Sequence, residues 1–183
     1  MSRTPSPAKP AELRWLFCTS AFLAAALMLS FLENVLLASK FMLLPGAKLG
    51  LANAAVLLAS HICGMSSGAA VSALRAVLSF LLFGNYVSFL YSAAGAVLSL
   101  CALAVIIRCR ALSFLGKSVV CAVFYNIGQT LCAVFLLGDA AVSLFPYMIV
   151  AGAVCGGFTG IILNCVYPAL SHAIGSKERS TQV

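Results

Sequence analysis

Acidic residues are almost missing from this chain. Its 183 residues include a single aspartate, Asp139, and three glutamates, Glu12, Glu33 and Glu178. Metal-assisted chemistry on phosphate groups relies on clustered carboxylates that hold the cation. Four scattered acids, two of them near the termini, cannot build such a cluster. The two histidines, His61 and His172, have no carboxylate neighbour and no metal-type spacing, and the sequence places no Ser-His-Asp or Cys-His constellation together. The eight cysteines contain no Cys-x-x-Cys pair, so they read as small hydrophobes rather than as metal ligands or disulfides. Gly116-Lys117-Ser118 matches the end of a phosphate-binding loop, but Ala111 stands where the upstream glycine is required. These absences argue against a self-contained enzyme, a bound metal or a cofactor.

Charge of either sign is also scarce. Only 8% of the residues are charged while 63% are hydrophobic, and the mean hydropathy is +1.10. A soluble core with a solvated shell cannot have this composition. Uncharged runs cover Trp15–Leu32, Leu49–Leu74, Ala76–Ile107, Ser118–Gly138 and Ala140–Ser176. Each approaches or exceeds the ~20 residues that an apolar helix needs to cross hydrocarbon. Alternation of polarity in ten-residue segments, the mark of a membrane β-barrel, is missing. The chain reads as an all-α, polytopic membrane protein.

Turn signals divide the runs. The Gly/Ser cluster at residues 63–68, Gly84-Asn85, the stretch from Arg108 to Lys117, and Gly138-Asp139 before Pro146 each mark a connection. Six helices are predicted, near residues 14–37, 48–62, 67–83, 87–107, 118–137 and 146–168, with Pro168 ending the sixth. Residues 14–172 form the membrane domain, flanked by polar, flexible tails at 1–13 and 173–183. The first apolar run is longer than a signal-peptide core, so it reads as a retained helix. Lys and Arg in short loops stay on the cytoplasmic side. With six crossings, Arg3, Lys9, Arg14, Arg108, Arg110, Lys117, Lys177 and Arg179 share one face, against Lys40 and Lys48 on the other. Both termini are therefore expected in the cytoplasm, in a multi-pass protein of the cell membrane. The net charge of +7 follows from this topology and implies no nucleic-acid partner.

A few charges stand where lipid would not accept them. Arg75 sits about midway along the third helix, and Glu33, Lys40 and Lys48 bracket the first loop. An ionisable group at bilayer depth costs roughly 2.5–3.5 kcal/mol, and it usually faces a protein-lined cavity. Glu33 can neutralise only one of the three cations, leaving a positive surplus suited to an anionic ligand. The alternative is a structural Arg75–Glu33 pair with the lysines reaching the interface. Asn53, Asn85, Ser88, Tyr91, Ser92, Asn126 and Gln129 add polar groups within or beside the spans, and a shared cavity explains the set. The candidate ligand-binding residues are Glu33, Lys48, Asn53, Arg75, Asn85, Tyr91, Asn126 and Gln129. Small-residue stripes complete the pattern: Gly152, Gly156 and Gly160 in the sixth helix, Ala21 and Ala25 in the first. Each allows close helix approach, inside the bundle or against a partner.

The string from Pro45 to Asn53, Arg75, Leu82-Phe83-Gly84-Asn85, Ser88 to Ser92 and Asn126-Ile127-Gly128-Gln129 resembles the bacterial family named Gx transporter or heptaprenyl diphosphate synthase component I. Two positions depart from that family's pattern. The proline usual shortly after Leu32-Glu33-Asn34 is missing, and Tyr125 stands where a histidine commonly precedes the Asn-x-Gly-Gln motif. The family is grouped with the substrate-binding S components of ECF transporters, which implies a six-helix fold with a ligand site capped by the first loop. It also implies docking of the Ala21 and Ala25 face on a transmembrane coupling subunit driven by cytoplasmic ATPases.

The two family names express two classes of function. A transporter component would bind a small anionic or amphipathic ligand, such as a vitamin, flavin or isoprenoid or quinone precursor, through Lys48, Arg75 and Asn53, oriented by Asn126 and Gln129. A prenyl synthase subunit, the alternative, would assist a soluble partner that carries the missing aspartates; the shortage of acids favours the transporter component. A third class, a membrane anchor in a redox or quinone-related assembly, lacks a haem-ligand histidine pair.

Overall fold

The computed structural model describes residues 10–37, 51–83, 86–109 and 111–180. Among these residues there are six α-helices and no strand: α1 Pro10–Leu37, α2 Asn53–Ile62, α3 Met65–Phe83, α4 Tyr86–Ile106, α5 Phe114–Leu137 and α6 Phe145–Ser180, with a 3-10 segment at Asp139–Leu144 ahead of α6. The protein is the all-α, polytopic membrane bundle that its composition predicts.

Five of the helices are long and apolar enough to cross a bilayer. Their outward faces carry large apolar side chains, Phe135 being 88% exposed and Val105 80%. Their inward faces carry serines, threonines and amides, the reverse of a water-soluble domain. That inversion follows from the solvent: lipid is as apolar as leucine, so helix association depends on close packing and hydrogen bonds. Hydroxyl pairs join helices at Thr19 and Ser67, 2.8 Å apart, and at Ser118 and Thr159, 2.9 Å apart.

α2 departs from the predicted span of 48–62. Its described helix starts at Asn53, and its ten residues reach about 15 Å, half of the hydrocarbon thickness. It is nonetheless the most enclosed element, with seven of those ten residues buried, and it packs on α1, α3, α5 and α6. Gly64, at φ +94°, reverses the chain between α2 and α3, and its carbonyl accepts from Ser67 and Gly68 to open α3. The predicted break across 63–68 is therefore only two residues long.

Two further expectations are corrected. α5 starts at Phe114 instead of 118, because the Ser113 side chain accepts from the Gly116 N–H and caps the helix. Lys117 thus stands in the first turn of a helix and not in a connection. α6 continues through Pro168 to Ser180. Proline removes a single N–H from the helical ladder, and on the exposed turn that follows, Ser171 Oγ donates to the Pro168 carbonyl at 2.9 Å. At the other end, Pro10 opens α1, where its fixed φ suits the first helical turn.

Gly152, Gly156 and Gly160 lie against α5. A Cβ added at them would stand 2.8, 2.7 and 2.7 Å from the nearest atoms of Asn126, Val119 and Leu115. α4 approaches α5 as closely at Gly95 and Gly128. Glycine at these crossings lets α5 sit tightly between α4 and α6, and this fixes the side chains that α5 presents inward.

Candidate ligand-binding site

Ser72, Arg75 and Ser79 recur at helical spacing along α3 and are all buried. Arg75, midway along the helix, is 2% exposed. Its Cζ lies 5.7 Å from the centroid of the Tyr125 ring, which is completely buried on α5. The contact is a cation–π pair that anchors the guanidinium to α5. The Arg75 Nε and Nη2 atoms have no hydrogen-bond partner among the described residues.

α5 turns Tyr125, Asn126 and Gln129 inward, all fully buried. Asn126 Nδ2 donates to the Met148 carbonyl at 2.9 Å, tying α5 to α6, and its carbonyl accepts from Thr130 Oγ1 at 2.8 Å. Asn126 Oδ1 and the Tyr125 hydroxyl have no partner among the described residues. From α3 and α4, the hydroxyls of Ser79 and Ser92 are likewise buried without partners. Ser92 lies one turn before Gly95, whose backbone abuts the Tyr125 ring and carbonyl.

Glu33 is buried near the C-terminal end of α1. Its Oε1 accepts the Leu51 N–H at 2.8 Å, just ahead of the α2 N-terminus, where the helix dipole favours an anion. Asn53, the first residue of α2, is buried with Nδ2 unpartnered among the described residues. The structure thus places Glu33 beside the entry to α2, with Asn53 two residues beyond Leu51. It places Arg75 with the α5 face that carries Tyr125 and Asn126. Tyr91 packs into an apolar cluster with Ala133, Ala141 and Met148. Lys48 and Asn85 lie outside the described residues.

Ser92 stood in the polar set without being carried into the ligand-binding residues, and Ser79 and Tyr125 were missing from the candidates drawn from the sequence. Their signal was present as spacing: Ser79 is one turn beyond Arg75, and Tyr125 directly precedes Asn126. A second cation was also misread. Lys117 is 8% exposed, its ammonium lies 3.3 Å from His61 Nε2, and it donates to the Ile107 carbonyl at 3.0 Å. His61, with no partner along the sequence, therefore has one in space.

Away from these polar groups, an apolar cleft of about 590 Å³ runs between α1, α2 and α6. Ala21, Ala25, Leu29, Ala54, Leu58 and Ile162 are among its walls. Both alanines are exposed. Among the described residues no group of three or more His, Cys, Asp or Glu side chains comes together, and the eight cysteines, all described, form no disulfide.

Arg75 Nε and Nη2, the hydroxyls of Ser79, Ser92 and Tyr125, and Asn126 Oδ1 are buried on α3, α4 and α5 without partners among the described residues, and the guanidinium edge suits an acceptor-rich, negatively charged group. The family model described as heptaprenyl diphosphate synthase component I matches residues 22–166, a span that holds Arg75, Ser79, Ser92, Tyr125 and Asn126. The chain belongs to the heptaprenyl diphosphate synthase component I family. Searches of curated proteins and of solved structures found no match. The matched span takes in α2 to α5 whole and ends within α6 at residue 166.

Proposed function

We propose that this chain is a non-catalytic, membrane-embedded component of a prenyl diphosphate synthase. It holds the anionic end of an amphipathic small molecule in the Arg75 chamber, while a partner chain supplies the carboxylates for metal-assisted chemistry. The observation that carries this reading is Arg75 itself: a cation almost fully buried at mid-helix, with two N–H groups left without partners among the described residues. Leaving a charged donor buried and unsatisfied costs roughly 1–3 kcal/mol or more, which an anionic ligand relieves. Family membership supports the assignment to a synthase, and the four acids of the whole chain support a non-catalytic part. The cation distribution supports placement in the cell membrane with both termini cytoplasmic.

The test is reconstitution. Vesicles carrying this chain, added to a soluble, aspartate-bearing prenyl diphosphate synthase subunit, are expected to raise long-chain prenyl diphosphate formation by about tenfold or more, a barrier change of about 1.4 kcal/mol. Vesicles carrying Arg75→Ala are expected to give no such increase, and vesicles without the soluble subunit no product. An unchanged rate with the wild-type chain overturns the synthase reading.

One observation favours a second reading, an S component of an ECF-type transporter. Ala21 and Ala25 are exposed in the cleft between α1, α2 and α6, a surface on which a helix of a coupling subunit can pack. Leucine at either position is then expected to lower recovery of a coupling subunit and its ATPases in co-purification. Equal recovery removes this reading of the α1 face.

A further inference from the structure

The two unpartnered nitrogens of Arg75 are not an arbitrary pair. Nε–H and the Nη2–H beside it lie along one edge of the planar guanidinium and point the same way, the geometry that receives two oxygens of one carboxylate or phosphate. The Tyr125 ring stacks toward the guanidinium carbon. The unpartnered edge, and not the face toward the ring, is therefore the part of the cation left to receive a ligand group. An alcohol offers one oxygen, and an amide sets a donor against a donor, so neither satisfies both N–H groups.

Three hydroxyls belong to the helices packed around Arg75. Ser79 is one helical turn from Arg75 on α3. Tyr125 carries the ring that contacts the guanidinium. Ser92 is one turn from Gly95, the glycine that lets α4 touch Tyr125. All three hydroxyl oxygens are buried without partners among the described residues.

We infer that Arg75 grips the ligand through this Nε–Nη2 edge, with the hydroxyls of Ser79, Ser92 and Tyr125 closing the cradle, so that the ligand's anionic end is a carboxylate or phosphate bound without a metal. The inference rests on the reading of the Arg75 chamber as a ligand site and deepens it: the recognition is of paired oxygens and not of charge alone. Ser79, Ser92 and Tyr125 join the chamber as binding residues.

The full chain in lipid nanodiscs is to be titrated with four probes that share one hydrocarbon chain: farnesol, farnesoic acid, farnesyl monophosphate and farnesyl diphosphate, each with EDTA and with magnesium. The acid or the phosphates are expected to bind about tenfold or more tighter than farnesol in EDTA, and the tighter arm identifies the carboxylate or the phosphate as the natural end. Arg75→Lys keeps the charge but loses the fork, and it is expected to lose about tenfold for the anionic probes and nothing for farnesol. Tyr125→Phe and the Ser79→Ala/Ser92→Ala pair are expected to lose about three- to tenfold, the range for one or two hydrogen bonds.

Full affinity in Arg75→Lys overturns the edge grip and leaves the chamber as a ligand site. Farnesol binding as tightly as every anionic probe overturns both. Binding only with magnesium overturns the metal-free cradle. Should Arg75→Lys fail to fold, unchanged affinity in the serine pair and in Tyr125→Phe overturns the inference.

Discussion

Arg75 and Lys117 are both cations buried inside the same bundle, yet their surroundings differ in kind. Lys117 sits in the first turn of α5 with His61 Nε2 at 3.3 Å and the Ile107 carbonyl at 3.0 Å, and its ammonium lies 6.0 Å from the centroid of the Phe114 ring. The histidine geometry is self-consistent: Nδ1 donates to the Leu57 carbonyl at 3.1 Å, which leaves Nε2 as the acceptor for lysine. Phe114 and Tyr167 stack on this group, and it closes one end of the bundle. Arg75 has a cation–π neighbour and two N–H groups without partners among the described residues. Burial of a charge is common to both. Unfilled hydrogen-bonding capacity belongs to Arg75, and it separates a site from a structural tie.

The contrast can be broken by exchanging each group for an apolar one. Arg75→Met is expected to lower affinity for the preferred farnesyl probe by about a hundredfold, the loss of two charge-assisted hydrogen bonds. The same change is expected to leave thermal unfolding unchanged or slightly raised, because an unsatisfied buried cation has been removed. Lost stability with unchanged binding would reverse the roles assigned here. His61→Ala acts on the other cation. It leaves the Lys117 ammonium short of an acceptor, so a loss of about 1–3 kcal/mol in stability is expected, with ligand affinity unchanged. Chemical unfolding in detergent measures it, and an affinity loss like that of Arg75→Met would place Lys117 in the ligand site. The smallest effect is expected from Lys117→Met, which removes donor and charge together and costs less than about 1.5 kcal/mol. A larger loss than in His61→Ala would mean that the lysine holds more than the histidine and the carbonyl.

The helices and their number were legible in the sequence because uncharged runs and Gly-rich breaks are coarse signals, and Arg75 stood out because a charge at mid-helix is rare. The inward faces were much harder to read. A helix that is apolar all round carries no stripe to mark its buried side, so Ser79 and Tyr125 looked like their lipid-facing neighbours until packing set their direction. The start of α5 lies four residues before the predicted one, since the cap at Ser113 lay behind a run of cations that read as a loop. The half-length of α2 also escaped, because a short buried helix and a full span share one apolar composition. Pro168 was given too much weight, as a single missing N–H on an exposed turn does not end a long helix.

Native mass spectrometry of the protein released gently from its own membrane tests the chamber most directly. The wild-type chain is expected to retain an amphipathic molecule with a carboxylate or phosphate end, and Arg75→Met, folded to the same extent, to retain none. Retention of the same molecule by both proteins would contradict it.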